Sequence, residues 1–248
     1  MLRLDKFLAD AGIGTRSEVK KYIKNKRISV NGMVVVRPEQ KIDPETDAVC
    51  LDEKPVFYTH YFYYLFHKPG DCVTARRDNR DQTVMDFFPE ELRDKLSPVG
   101  RLDKDTEGLL LVTNDGAFNH KLTSPAYHLK KTYYAELDQP VPSDAASVFA
   151  EGVDIGDDRL TLPAELCPLP VAERDGKRIF AAELTITEGR YHQVKRMFQA
   201  IGLKVIYLKR LSMGYLTLGQ LPKGEYRPLT EEEISRLQKE CETKGLLP

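Results

Sequence analysis

The sequence has no tryptophan, and its four cysteines lie far apart along 248 residues. Cys50, Cys72, Cys167 and Cys241 form no C-x-x-C pair and no cluster with histidine. The pattern therefore indicates neither a zinc site nor a disulfide framework, and no metal site is predicted. A reducing compartment, the cytoplasm, is the expected location.

Long apolar runs are also missing. None approaches the roughly 20 residues that a helix needs to span a bilayer, so no membrane partner is expected. The opening segment MLRLDKFLAD contains Asp5 and no long apolar core, so it is not expected to act as a secretory signal. With 41% hydrophobic and 30% charged residues, the composition is typical of a globular protein, and we expect a monomer.

The net charge is only −1, but it is unevenly distributed. Residues 1–41 contain ten of the 37 Lys and Arg residues and four of the 38 Asp and Glu residues, a net charge of +6. Residues 42–248 hold the remaining 27 and 34, a net charge of −7. A basic segment on an acidic protein suggests that the segment meets a polyanion.

This basic segment has the pattern of a small helix–helix–hairpin unit. In RLDKFLADAG the apolar residues share one helical face, and Thr15 and Glu18 have capping-box spacing before a second helix. Asn31 and Gly32, between two β-rich stretches, predict a two-residue hairpin turn. The second helix would carry its cations on the outside.

The unit resembles the S4 RNA-binding domain, which implies RNA binding but no chemistry. We assign residues 1–45 to this domain, residues 46–60 to an acidic linker, and residues 61–248 to a larger domain. The resemblance implies that the outer cations contact RNA, and these are Arg16, Lys20, Lys21, Lys24 and Arg27.

The larger domain has more strand-like than helix-like segments. YFYYLFHKP, KTYYAEL and RIFAAELTIT predict strands, whereas EGRYHQVKRMFQAIG and PLTEEEISRLQKEC predict helices. Because strands and helices do not alternate as βαβ units, we predict an α+β fold on a mostly antiparallel mixed sheet.

Asp103 and Asp105 lie in GRLDKDTEG, directly before the apolar run LLLVT. The residues alone leave several interpretations open. A D-x-D-x-T/V phosphatase would require another residue than Glu107, and a D-x-D metal site usually comes with a phosphate cradle that the sequence lacks. The third interpretation is a turn in which the aspartates cap the backbone.

Longer motifs favour a different chemistry. VGRLDKDTEGLLLVTNDG resembles the catalytic motif of pseudouridine synthases, KTYYAEL their K-x-Y motif, and EGRYHQVKRMF their late basic motif. With the S4-like unit and the tail GEYRPLTEEEI, they resemble the RsuA branch, the small-subunit rRNA pseudouridine synthases. The segment HKPGDCVTA departs from the family's Asn-Lys-Pro-x-Gly pattern at His67.

The resemblance implies a cofactor-free isomerisation of a uridine in rRNA, with U516 of 16S rRNA as the expected target. Two alternatives are a sister enzyme that acts on 23S rRNA and a non-catalytic rRNA-binding or ribosome-assembly factor. Neither a redox cofactor nor ATP is required, because the isomerisation conserves every atom.

The resemblance also implies roles for individual residues. Asp103 would attack the base or the ribose carbon, or remove a ribose proton, and Asp105 would shape the loop. Tyr133 would stack on the base or transfer a proton. Lys195, at the edge of the apolar stripe of the late helix, would pair with Asp103 and keep it ionised. The expected RNA contacts of this domain are Arg101, Arg190, His192 and Arg196.

Overall fold

The computed structural model describes residues 1–11, 13–58, 61–124, 127 and 129–244. The chain forms two compact units, Met1–Tyr61 and Phe62–Pro248. No helix within the described ranges is both long enough and apolar enough to cross a membrane.

The first unit contains two helices and six short strands among its described residues. They are β1 (Leu2–Arg3), α1 (Leu4–Asp10), α2 (Arg16–Lys24), β2 (Ile28–Val30), β3 (Met33–Val34), β4 (Lys41–Ile42), β5 (Val49–Leu51) and β6 (Lys54–Val56). The predicted capping box is confirmed, since Thr15 and Glu18 cap each other at the start of α2. The hairpin is confirmed as well: Asn31 and Gly32 have φ angles of 52° and 78° between β2 and β3.

Part of the predicted linker belongs to the sheet of this unit. Four strands pair in the order β3-β2-β5-β6, and β1 pairs separately with β4. Val49 is only 2% exposed and packs in the core that α1 and α2 cover. The linker assignment for 46–60 is corrected accordingly, although residues 59–60 lie outside the described part. The turn between β5 and β6 was hard to predict because Asp52 and Glu53, rather than an Asn-Gly pair, adopt its positive φ angles.

The second unit contains the remaining elements. In chain order they are β7 (Tyr63–Lys68), a 3₁₀ helix (Val84–Phe87), α3 (Glu90–Arg93), β8 (Ser97–Val99), β9 (Glu107–Thr113), α4 (Gly116–Thr123), β10 (Lys131–Leu137), α5 (Ala145–Glu151), β11 (Glu165–Pro168), β12 (Ala172–Arg174), β13 (Lys177–Ile186), α6 (Gln193–Ala200), β14 (Val205–Met213), β15 (Leu216–Thr217), β16 (Tyr226–Pro228) and α7 (Glu231–Lys244).

The described strands of this unit form one large mixed sheet. Its main path is β11-β13-β10-β14-β9-β7-β16, and the pairs are antiparallel except for β9 with β14. The predicted α+β class on a mostly antiparallel sheet is confirmed. The sheet has an apolar core on each face: Leu110 and Val112 of β9 enter one, and Leu109 and Leu111 enter the other. Burial on both faces explains the unbroken apolar run that follows the aspartates.

The parallel pair β9–β14 requires a glycine where the aspartate loop joins the sheet. Gly108 has a φ angle of 110°, and a Cβ atom there would lie 2.2 Å from the backbone oxygen of Arg210. Only glycine permits this approach without displacing a backbone. In the next pair, Arg210 is registered with Tyr133 of β10. This close packing brings the loop before β9 near Tyr133.

Candidate active site

The loop that carries Asp103 is held in place by a fully buried lysine, Lys68. The Nζ atom of Lys68 donates hydrogen bonds to the carbonyl oxygens of Pro69, Lys104 and Thr106, at 3.0, 3.1 and 2.8 Å. Its three donors are therefore all used on backbone acceptors, two of which flank the second aspartate, Asp105. Burial lowers the pKa of Lys68 from its ordinary value. The sequence does not indicate this role, because a lysine at the end of a strand gives no sign that it is buried.

A threonine fixes the residue directly before Asp103. The Oγ1 atom of Thr74 donates to the carbonyl oxygen of Leu102 at 2.7 Å and accepts from the Leu102 amide at 3.2 Å. Thr74 and Lys68 both belong to the segment HKPGDCVTA. That segment therefore anchors the backbone on each side of the Asp103 carboxylate, which limits its motion.

Lys195 of α6 lies between the two aspartates. Its Nζ atom is 3.1 Å from an Asp103 carboxylate oxygen and 2.6 Å from an Asp105 carboxylate oxygen. The Lys195 side chain is 25% exposed and that of Asp105 is 68% exposed. The expected contact of Lys195 with Asp103 is present, but the shorter contact is with Asp105. Asp105 thus shares the counter-ion of Asp103 in addition to forming part of the loop.

The charges at this contact affect the titration of both partners. Burial raises the pKa of Asp105, but the hydrogen bond and positive charge of Lys195 outweigh it, so the net pKa lies below the ordinary value. Burial lowers the pKa of Lys195, and its hydrogen bonds and attraction to Asp105 and Asp103 outweigh this effect, so its pKa is raised. Lys195 consequently remains a cation beside the two carboxylates across the neutral range.

His192 is a second neighbour of the Asp103 carboxylate. Its Nε2 atom is 3.5 Å from an Asp103 oxygen. The residue precedes α6 in the left-handed conformation, with φ 48° and ψ 31°. A non-glycine residue in this region is uncommon, and here it directs the ring toward the aspartate. The family resemblance implied that His192 contacts RNA, whereas its position beside Asp103 was not predicted from the sequence.

Tyr133 forms an aromatic wall of the same site. Its side chain is 8% exposed and lines a pocket of about 770 Å³ together with Asp103 and Lys195. That volume lies within the range of about 300–1,000 Å³ that is typical of small-molecule sites. Tyr134 points to the opposite face of the sheet, as strand alternation predicts, and donates a hydrogen bond to Glu136 at 3.1 Å.

Glu107, the first residue of β9, makes two polar contacts directly after the loop. Its carboxylate accepts hydrogen bonds from the hydroxyl of Tyr207 at 2.7 Å and from Nζ of Lys223 at 2.8 Å. Burial raises the pKa of Glu107, but these two partners outweigh it and hold the pKa below its ordinary value. Burial and the Glu107 carboxylate raise the pKa of Tyr207. An ionised Glu107 thus helps to anchor the start of β9.

A comparison with protein families identifies this arrangement. The sequence profile described as RNA pseudouridylate synthase matches residues 62–200, which include Asp103, Tyr133 and Lys195. The chain belongs to the RNA pseudouridylate synthase family. The S4 domain profile matches residues 2–47 of the same chain. The synthase is therefore an isomerase with an N-terminal S4 domain, as the sequence motifs predicted.

Curated relatives match over nearly the whole length of the synthase. The ribosomal small subunit pseudouridine synthase A of Escherichia coli (strain K12) is 42% identical over 94% of this chain and 99% of its own. An uncharacterized RNA pseudouridine synthase of Bacillus subtilis (strain 168) is 43% identical over 95% and 98%. A crystal structure of a pseudouridylate synthase, 39% identical, covers 96% of this chain and 100% of its own with a TM-score of 0.67.

The arginines predicted to contact RNA in the synthase domain differ in how many contacts their side chains make within the protein. Arg101 lies exposed at the pocket and makes no side-chain hydrogen bond to any other described residue. Arg190 is only 14% exposed and contacts two carboxylates and two carbonyl oxygens. Arg196 pairs with Asp157 and reaches the carbonyl oxygen of Tyr191 at 3.1 Å. RNA contact by these three arginines stays a prediction.

The predicted contacts of the S4 domain lie on its surface. The side chains of Arg16, Lys20, Lys21 and Lys24 are exposed on α2. Arg27, also exposed, forms an ion pair with Asp52, and its guanidinium lies 4.7 Å from the ring centre of Tyr22.

Proposed function

We propose that this synthase converts one uridine of small-subunit rRNA, U516 of 16S rRNA, to pseudouridine in the bacterial cytoplasm. The similarity to relatives that are named ribosomal small subunit pseudouridine synthase A, at 40–42% identity over 94–96% of the chain, supports the choice of rRNA. The S4 domain, with its exposed cations on α2, supports RNA as the substrate class.

One observation carries the assignment of the chemistry. The Asp103 carboxylate, 28% exposed, faces a pocket that the Tyr133 ring lines, and the Nζ atom of Lys195 is 3.1 Å away. A carboxylate, a fixed cation and an aromatic wall meet in a pocket of nucleoside size. We therefore assign Asp103 as the catalytic carboxylate, Lys195 as its counter-ion and Tyr133 as the base-contacting residue.

The reaction begins with a uridine that has left its RNA stack. A base that is to react must be extruded into the pocket, which costs a few kcal/mol of lost stacking. Stacking of the uracil on an aromatic ring recovers about 1–3 kcal/mol, and Tyr133 is placed to provide it. Arg101, exposed at the pocket, is placed to contact the RNA beside the extruded nucleotide.

The bonds then change in a balanced order. The N1–C1′ bond breaks, and its electron pair leaves with the uracil. The base turns within the pocket, and C5 forms a new bond to C1′. C5 then loses its proton and N1 gains one, so the product has the composition of the substrate.

Asp103 can act on the ribose in either of two ways. As a nucleophile it forms an ester with C1′ as the base leaves, and the ester is displaced when C5 attacks. As a base it removes the proton from C2′, and the proton returns when C5 bonds to C1′. Both routes require the ionised carboxylate, and the Nζ atom of Lys195 lies 3.1 Å from it.

Chemical mapping of pseudouridine in rRNA tests this function. Cells that lack the synthase should lose one pseudouridine of 16S rRNA, at U516. The wild-type gene should restore it, whereas the Asp103→Asn gene should not. Loss of a 23S rRNA modification would instead indicate a sister enzyme, and an unchanged rRNA map would contradict the catalytic assignment on rRNA.

A further inference from the structure

An exposed aromatic side chain lies at the pocket, and the mechanism above does not use it. Tyr191 is 76% exposed and lines the same pocket as Asp103. Its ring stacks on the ring of His192, with centroids 3.8 Å apart and planes inclined by 17°. The far edge of the His192 ring reaches Asp103, since Nε2 is 3.5 Å from a carboxylate oxygen. The two stacked rings thus extend from the catalytic carboxylate toward solvent.

The backbone beneath this pair is constrained. His192 has a left-handed backbone with φ 48°, a conformation that costs free energy and persists only where the surroundings impose it. The carbonyl oxygen of Tyr191 accepts a hydrogen bond from Arg196 at 3.1 Å. The positions of both rings are therefore set by their backbone as well as by their mutual stacking.

Arg190, the residue before the pair, is fixed in the same way. Its guanidinium donates to the carbonyl oxygens of Arg159 and Leu160, at 2.8 and 2.7 Å, and to Glu188 at 3.0 Å. Gln193 adds two hydrogen bonds within residues 188–193. Its side chain accepts one from the Arg190 amide at 2.9 Å and donates one to Glu188 at 3.0 Å. A loop braced by this many hydrogen bonds presents Tyr191 at little entropic cost on binding.

We propose that the Tyr191–His192 pair is a stacking platform for the unpaired base next to the extruded target uridine. This inference deepens the proposed function and rests on it. When a uridine leaves its stack, the adjacent base loses a stacking partner, and an open aromatic face can replace it. Tyr133 already forms a buried wall of the pocket, so the exposed ring of Tyr191 serves a base outside it.

The platform also links RNA placement to the catalytic carboxylate. A base that stacks on Tyr191 lies against one end of the ring pair. The ring at the other end, His192, is next to the Asp103 carboxylate. The neighbouring nucleotide therefore fixes the register of the target uridine relative to Asp103. Tyr191 is a binding residue in this scheme, and His192 is a positioning residue that acts on Asp103.

A thermodynamic cycle between the protein and the RNA tests the platform. The RNA is a short segment in which the wild-type synthase forms pseudouridine, prepared intact, with an abasic nucleotide before the target, and with one after it. For Tyr191→Ala on intact RNA, kcat/KM should fall by roughly five- to a hundredfold, the equivalent of one lost stack. On one of the abasic RNAs, wild type and Tyr191→Ala should have the same kcat/KM.

Two control variants separate stacking from other effects. Tyr191→Phe keeps the ring and loses the hydroxyl, so it should behave as wild type on all three RNAs. Ile206→Ala removes another exposed apolar side chain of this domain, 65% exposed and outside the pocket, and should leave kcat/KM unchanged. Wild-type turnover on the intact RNA tests the proposed function first. If Tyr191→Ala lowers kcat/KM equally on all three RNAs, or not at all, the platform is refuted while the proposed function stands.

Discussion

Two sets of cations, one in each domain, are used in opposite ways. In the S4 domain, the side chains of Arg16, Lys20, Lys21 and Lys24 are exposed on one helix, and none forms a hydrogen bond or salt bridge to another described residue. In the synthase domain, Lys68, Lys195, Arg190 and Arg196 are all engaged with carboxylates or backbone carbonyls.

This difference shows that residue type does not assign a role to a cation. A cation whose donors are free can replace the counterions of an RNA phosphate, which adds affinity but no chemistry. A cation whose donors are already occupied instead fixes the loop that it contacts. Substitution of the free lysines of α2 should therefore change RNA affinity, and substitution of Lys68 or Lys195 should change stability or turnover.

The largest effect is expected for Asp103→Asn, which leaves both sets of cations in place and removes only the reacting charge. The substitution is nearly isosteric, so folding and RNA affinity should persist. Turnover should fall by about a thousandfold or more, because no ionised carboxylate faces the ribose. Single-turnover kinetics at saturating RNA measures the loss. Turnover within tenfold of wild type would show that another group performs the chemistry.

Lys195→Met is expected to lower turnover by about a hundredfold or more, because it removes the fixed charge beside Asp103 but keeps the aliphatic stem. Arg196→Met is the control from the same helix. It loosens the loop through the carbonyl oxygen of Tyr191 and leaves the Lys195–Asp103 contact intact, so its effect on kcat should be far smaller. Equal effects of the two substitutions on kcat would refute the counter-ion role.

Lys195→Met should also change acid stability. Because the pKa of Asp105 is below its ordinary value of 3.8, Asp105 contributes stability above that pH, and the contribution is lost as the pH falls through the lowered pKa. Without Lys195, the hydrogen bond and the charge that lower the pKa of Asp105 most are lost, so this pKa rises. The acid unfolding midpoint should therefore move to higher pH than in wild type, as measured by circular dichroism. A midpoint at or below that of wild type would contradict the pairing.

Lys68→Met tests how much the buried lysine that holds the loop contributes to the stability of the synthase domain. It leaves three carbonyl oxygens without their donor, and the contact with the Thr106 oxygen is fully buried. An unpaired buried group costs about 1–3 kcal/mol. The Tm of the synthase domain should fall by roughly 6–12 °C if about 3 kcal/mol is lost. Lys104→Met is the matched control: its ammonium is exposed and pairs with Asp81 at 2.6 Å, so the Tm should stay near wild type. Similar Tm values for both variants would show that Lys68 does not hold the loop.

The smallest effect on turnover is expected from the S4 domain. Substituting Lys20, Lys21 and Lys24 together by glutamine should weaken RNA binding and leave kcat at saturating RNA near wild type. The slope of log K against log salt should become shallower by about 2–3, because each phosphate contact contributes roughly 0.7–0.9. Fluorescence anisotropy at several salt concentrations measures this slope. An unchanged slope would show that these lysines do not meet the RNA.

The sequence by itself determined the local elements and the order of the motifs. KTYYAEL is strand β10, Thr15 caps α2 with Glu18, and Asn31-Gly32 forms the hairpin turn. These features depend on neighbours within a few residues, so the pattern of a short segment is enough to predict them. The catalytic, K-x-Y and late basic motifs also predicted the family that the profile match shows.

Only the tertiary structure decided which side chains meet. Nothing in a local pattern shows that Lys68 reaches the carbonyl oxygens of Lys104 and Thr106, more than 35 residues away, or that Lys195 reaches Asp105 across 90 positions. The Lys68 contacts depend on the pairing of β7 with β9, which registers Lys68 with Gly108, and on the burial that the sheet imposes. Long-range packing sets burial and donor geometry, and these determine whether a lysine braces a loop, holds a carboxylate ionised or stays free for RNA.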